Sequence, residues 1–187
     1  MIMGIKTKIK KYLLLKLTGQ IDFGTLIKRG LKVGTNFSMQ KECIIDDSHC
    51  SLITIGNNVT LAPRVHILAH DSSTKMFLGY TKIGKVTIED KVFIGAGSII
   101  LPNVNIGSNV IIGAGSVVTQ SIPNNSVAVG NPCKPIGKTD EYIDKTKQSM
   151  ESNPVFDETY TLRSKEYTKE KELDMIERIG AGLGYIE

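Results

Sequence analysis

Aliphatic residues, with one Met, recur at every sixth position in three runs between residues 33 and 118. One column runs unbroken through Ile88, Ile94, Ile100, Ile106, Ile112 and Val118. Earlier segments carry Ile55, Leu61 and Ile67, and before them Val33, Met39 and Ile45. The next position is small in Gly34, Gly56, Ala62, Gly95, Gly107 and Gly113, and the position four after the aliphatic one holds Val59, Val65, Val92, Ser98, Val104, Val110 and Ser116. An amphipathic helix repeats its apolar positions near ~3.6 residues, so a strict six-residue column would drift around its surface. A coil of short strands keeps the column: one aliphatic side chain fills the interior per face, and a small residue sits where the chain turns. The pattern predicts an all-β solenoid whose stacked coils bury a continuous aliphatic column and whose open ends need caps.

The register slips twice, and a slip in a regular solenoid marks a place where chain leaves the coil. Ile67 and Ile88 are 21 residues apart, and the segment between them, AHDSSTKMFLGYTKIGKVT, is polar and glycine-containing. It predicts an extruded loop at about residues 71–86 with His70 at its base. Imidazole as a class titrates near neutrality and suits a general base for a hydroxyl, which is a poor nucleophile until its proton is taken. Asp71 follows directly, but neighbours on an extended chain point to opposite sides, so a backbone carbonyl or another acid is expected to orient the ring. The second slip separates Ile45 from Ile55 by 10 residues and contains Asp46, Asp47, Ser48 and His49. Paired acids suit a hydroxyl-rich ligand, and a solvated turn is the plain alternative.

The ends read differently. Residues 4–17, GIKTKIKKYLLLKL, place Ile5, Ile9, Leu13 and Leu17 at four-residue steps among lysines. This predicts a basic amphipathic helix within an N-terminal cap over residues 1–30, with peripheral membrane contact through residues 4–17 as the alternative to capping. The coil is expected over residues 31–138. Residues 139–187 form a helical extension, with one helix starting near Thr139 and another from about Lys165 to Ile179, striped by Leu173, Ile176 and Ile179 and closed by Gly180.

Composition narrows the function classes. A formal charge of +4 with dispersed Lys and Arg and few aromatics argues against a nucleic-acid partner. No apolar run reaches the roughly 18 residues of a membrane span, and no signal-peptide pattern opens the chain, so a cytoplasmic location, with the membrane surface as a variant, is expected. Cys43, Cys50 and Cys133 form no CxxC pair and are expected as free thiols. His66 and His70 lie four apart on a coil without helical geometry, where helical pairing of metal ligands does not apply, and no metal is expected.

The run IEDKVFIGAGSIILPNVNIGSNVIIGAGSVV resembles the hexapeptide-repeat acyltransferases, and VGTNFSMQKECIIDD followed by ITIGNNVTLAPRVHIL is similar to their galactoside and maltose acetyltransferase members. The resemblance covers roughly residues 31–138. It implies a left-handed parallel β-helix, a homotrimer with active sites between subunits, and transfer of acetyl from acetyl-CoA to a hydroxyl of a sugar or surface-polysaccharide precursor. It makes His70 the base and places Asp46 and Asp47 near the sugar or glycan acceptor. It also implies that backbone groups at Ala96 and Ala114 pair with the pantetheine arm, and that Thr119, at the end of the last coil, and Lys134, within the signature VGNPCKPI, lie near the nucleotide. Gln120 and Gly137 depart from bases common in the family, with Lys138 as a substitute. The rival reading is a non-catalytic trimeric β-helix used as a scaffold or glycan-binding module.

Overall fold

Each six-residue unit of the repeat folds as one short strand and one corner, and three units close one coil. The structure, a computed structural model, describes residues 22–187. The first coil is built from β1 (Lys32–Val33), β2 (Ser38–Met39) and β3 (Ile44–Ile45), and the second from β4 (Ile53–Ile55), β5 (Thr60–Leu61) and β6 (His66–Ile67). A hairpin, β7 (His70–Asp71) and β8 (Lys82–Ile83) around the short helix α2 (Lys75–Leu78), interrupts the climb. The third coil follows as β9 (Val86–Ile88), β10 (Val92–Ile94) and β11 (Ile99–Ile100), and the fourth as β12 (Val104–Ile106), β13 (Val110–Ile112) and β14 (Val117–Val118). Three parallel sheets result, in the orders β1-β4-β9-β12, β2-β5-β10-β13 and β3-β6-β11-β14. The second of these sheets continues into β15 (Ser126–Val129), and the antiparallel β16 (Lys134–Lys138) ends it.

Register explains why the sequence column is a core. Ile55 pairs with Ile88 and Ile88 with Ile106, Leu61 with Ile94 and Ile94 with Ile112, Ile67 with Ile100 and Ile100 with Val118. All nine side chains are buried, as are Val59, Val65, Val92, Val104 and Val110. Each such burial stabilises the fold by roughly 1.5–3 kcal/mol. Val33 and Met39, in the same column, lie in the first coil and are less covered, since among the described residues no further coil stacks below them. There α1 (Phe23–Lys28), capped by the Asp22 carboxylate accepting from the Gly24 N–H at 3.1 Å, brings Leu26 into the core, and Phe23 stacks on Phe37 at 5.6 Å. The amphipathic segment 4–17 lies outside the described residues.

The small position has a different cause from the turn geometry expected of it. A Cβ on Gly95 would come 2.4 Å from the Ala114 amide nitrogen, and one on Gly56 would come 2.8 Å from the Glu89 carbonyl carbon, so the side chain is excluded by the coil above. The turn itself falls two residues later, where φ is positive at Asn36, Glu42, Asn58, Arg64, Lys91, Gly97, Asn103, Asn109 and Gly115. Asparagine and glycine tolerate that left-handed conformation best, which accounts for their recurrence at a position that the aliphatic pattern leaves variable.

The described chain divides into two compact units between Thr139 and Asp140. The second opens in α3 (Thr139–Ser152) and holds a small parallel pair, β17 (Val155–Phe156) with β18 (Tyr185–Ile186), and α4 (Lys169–Ile179). Helix α4 starts four residues later than the expected Lys165, because Thr168 is extended and its hydroxyl accepts the Lys171 N–H at 3.3 Å, which fixes the first turn. Leu173 and Ile176 remain exposed within this unit, while Phe156 is buried beneath the Arg178 guanidinium, 4.4 Å above its ring. Among the described residues no helix is long and apolar enough to cross a membrane, and all three cysteines are free.

Candidate functional site

The two register slips face each other. Ile44–Ile45 pairs with His66–Ile67, so the residues after β3 lie directly against the residues after β6. The Asp46 N–H donates to the Ile67 carbonyl at 2.8 Å, continuing the ladder by one residue before the chain turns away. Its side chain is completely buried. One carboxylate oxygen accepts the N–H groups of Ser48 at 3.1 Å and His49 at 3.0 Å, and the other accepts the Ala69 N–H at 2.9 Å and His70 Nδ1 at 2.5 Å.

Four donors around one carboxylate leave it no free lone pair for a ligand. Burial pushes the Asp46 carboxyl up, but the bonds from His70, His49 and Ala69 outweigh it and hold it below its ordinary value. Asp46 is therefore an anion that only accepts. The ring proton of His70 must sit on Nδ1, and the lone pair on Nε2. The ring is about one-third exposed, so this nitrogen belongs to a side chain that reaches the surface.

This corrects the reading of Asp46 as an acid that holds the sugar: its oxygens are spent inside the protein, and it is the acid that orients His70. The long-range register that brings residue 46 to residue 70 is invisible in a local pattern. Asp47 stays at the surface, its carboxylate 3.8 Å from Arg29 and half exposed. Asp71 turns away from the dyad, as its neighbour position requires, and bonds Lys82 at 2.6 Å across the hairpin, which holds its carboxyl well below the usual carboxylate range. That pair, with the Gly84 N–H to Ala69 carbonyl bond of 3.0 Å, fastens the base of the loop next to His70. The loop spans β7 to β8, and its tip carries the exposed Met76, Phe77, Leu78 and Tyr80.

One residue of this site has no role in the sequence reading. The His49 ring lies 5.1 Å from the His70 ring, and its Nδ1, buried and with no hydrogen-bond partner among the described residues, is 3.9 Å from Asp46. Its signal was its place in the same ten-residue slip. His66, in contrast, points outward from its sheet between Ile44 and Ile99 and is not part of the cluster.

The residues expected near a cofactor lie on later coils. Ala96 and Ala114 are stacked one coil apart, with the Gly115 N–H donating to the Ala96 carbonyl at 2.8 Å, and Ala114 is exposed. Thr119 is exposed just after β14, and Lys134 is exposed at the start of β16 opposite Val129.

Residues 85–120 match the family described as bacterial transferase hexapeptide (six repeats). The chain is 35% identical over 150 residues to protein CapG of Staphylococcus aureus, covering 76% of this chain and 86% of that one. It is 40% identical over 115 residues to a galactoside O-acetyltransferase of Lactococcus lactis, covering 59% and 52%. A solved hexapeptide-repeat-containing acetyltransferase of Vibrio cholerae, complexed with acetyl coenzyme A, matches with a TM-score of 0.54 at 24% identity over 59% of this chain and 61% of that one, a likeness of fold. The chain spans a little over half the length of other curated relatives, 55% of one from Schizosaccharomyces pombe and 60% of one from Saccharomyces cerevisiae. The six-residue repeat, the three parallel sheets and these matches agree on one fold, the left-handed parallel β-helix, and the chain belongs to the hexapeptide-repeat family of bacterial transferases.

Proposed function

We propose that this protein is an acetyl-CoA-dependent O-acetyltransferase acting on a hydroxyl of a sugar or surface-polysaccharide precursor, with His70 as general base. The observation that carries the reading is the dyad itself: a buried, ionised Asp46 fixes the His70 tautomer so that Nε2 can accept a proton. The acceptor hydroxyl gives that proton to Nε2 as its oxygen attacks the thioester carbonyl, and the coenzyme A thiolate then departs. Asp46 stabilises the imidazolium through the bond at Nδ1. The name of the Lactococcus lactis relative supports a sugar acceptor, and the exposed Asp47 is the acid left to contact it.

The cofactor is assigned to Ala96, Ala114, Thr119 and Lys134. Main-chain groups at the two alanines would hold the pantetheine arm, and Lys134 would serve as a point charge for phosphate. A homotrimer fits the outward columns of two sheets. Ile44, Ile99 and Val117 on one, interrupted by His66, and Phe93, Ile111 and Val127 on the other, above Ser38 and Thr60, are apolar, while the third sheet presents Lys32, Thr54, Thr87 and Asn105. Two such faces can pack against copies of each other and place the dyad at a subunit boundary. A cytoplasmic location goes with the use of acetyl-CoA.

Calorimetric titration with acetyl-CoA tests the reading. Wild-type protein is expected to bind and Lys134→Ala to bind more weakly. No binding at millimolar cofactor would favour a scaffold.

A further inference from the structure

We propose that His49 is a specificity-determining residue: it binds the hydroxyl next to the one that His70 deprotonates, so that the acceptor class is a vicinal diol, as on an unsubstituted stretch of a pyranose ring. The inference rests on the proposed transferase function and deepens it.

The two imidazoles are built as a pair. One oxygen of the Asp46 carboxylate accepts the His49 main-chain N–H at 3.0 Å and the other accepts His70 Nδ1 at 2.5 Å, so a single buried group fixes the place of both residues. The His49 carbonyl in turn accepts the Leu52 N–H at 2.9 Å, in the short helical turn Cys50–Leu52 that seats Cys50 in the core. The rings lie 5.1 Å apart between centroids, inclined by 45°, and each side chain is about one-third exposed. His49 Nδ1 is turned inward, buried and 3.9 Å from Asp46 Oδ1, which leaves Nε2 as the ring nitrogen that a ligand can reach. A pair held in place before the ligand arrives loses little freedom on binding it.

Chemistry selects the ligand. The oxygens on adjacent carbons of a pyranose ring are separated by about the length of an O–H···O hydrogen bond, ~2.8 Å. A second imidazole at this distance from the first can therefore hold the neighbouring oxygen while His70 Nε2 takes the proton of the reacting one. A hydroxyl both donates and accepts, so it satisfies His49 Nε2 in either tautomer of that ring. The neighbouring hydroxyl keeps its proton throughout. Bond making to the acetyl carbon, proton transfer to His70 and departure of the thiolate are those of the proposed reaction, and His49 takes no part in them. An acceptor that lacks the second hydroxyl leaves His49 facing carbon, and a site built to bind a hydroxyl rejects such an analogue.

Acetyl transfer from acetyl-CoA is measured with the methyl glycosides of galactose, glucose and mannose, the acetylated position is located by NMR, and monodeoxy analogues lacking a neighbouring or a remote hydroxyl are compared. For wild type, removal of one neighbouring hydroxyl is expected to lower kcat/KM at least about tenfold, and removal of a remote one by less than about threefold. His49→Ala should lose at least about tenfold on the parent glycoside and then be indifferent to the neighbouring deoxy substitution, the non-additivity that a direct contact requires. His49→Gln keeps a hydrogen-bonding group without a base, so it should retain both transfer and the diol preference, and it carries the test if His49→Ala does not fold. Losses that add independently, or a wild type without diol preference, overturn the inference and leave the transferase function standing. A folded but inactive His49→Gln would assign the residue to proton transfer and likewise overturn it. Absence of transfer by wild type to all three glycosides would instead sink the sugar O-acetyltransferase reading, and this inference with it.

Discussion

The Nδ1–H of His70 is committed to the buried carboxylate of Asp46, and Nε2 is left as the one ring nitrogen able to take a proton. His70→Ala is expected to abolish acetyl transfer while the β-helix melts as before. Asp46→Asn should lower kcat by roughly 10²–10⁴-fold and leave the KM for acetyl-CoA nearly unchanged, because the amide no longer enforces the required tautomer. Steady-state thiol release measures both. A kcat for Asp46→Asn within threefold of wild type would remove the orienting role.

The same carboxylate ties stability to pH. Its folded-state value lies below the unfolded one of about 3.9, so its contribution is present above that pH and is lost as pH falls through the lower folded value. Melting temperatures recorded from pH 6 downward should show a steeper acid decline for wild type than for Asp46→Asn, which has no such group to protonate. Parallel declines would show that Asp46 is not ionised in the fold as argued.

Close stacking of coils makes some glycines irreplaceable and others free. Gly95→Ala places a Cβ against the main chain of Gly113 and Ala114, atoms that cannot swing aside, and is expected to cost about 1–3 kcal/mol in chemical denaturation. Gly137→Ala meets nothing within 4 Å and should be neutral within about 0.5 kcal/mol. Equal effects of the two would refute the stacking argument.

Lys91 occupies a left-handed corner with φ of 57°, a conformation that neighbouring coils fill with asparagine. Lys91→Asn should raise stability by up to about 1 kcal/mol, through relief of Cβ crowding. A lower denaturation midpoint for Lys91→Asn would mean that the lysine contributes more by its charge than it costs by its backbone.

The period of six in Ile55 to Val118 determined the solenoid by itself, because a coil contacts chiefly its neighbours and the same local unit is written again and again. The two slips were equally visible, as was His70 at the base of one, since a break in a period is also a local property. What joins the slips is not local. Only the pairing of Ile45 with Ile67 decides that Asp46 lies against His70 and that its carboxylate is buried, so an acid that reads as a sugar contact becomes the partner of the His70 ring. His49 shows the same limit, for its buried Nδ1 acquires meaning only from atoms that the coil brings to it. A periodic sequence specifies which residues turn inward, and register between distant turns of the coil specifies which of the remainder meet.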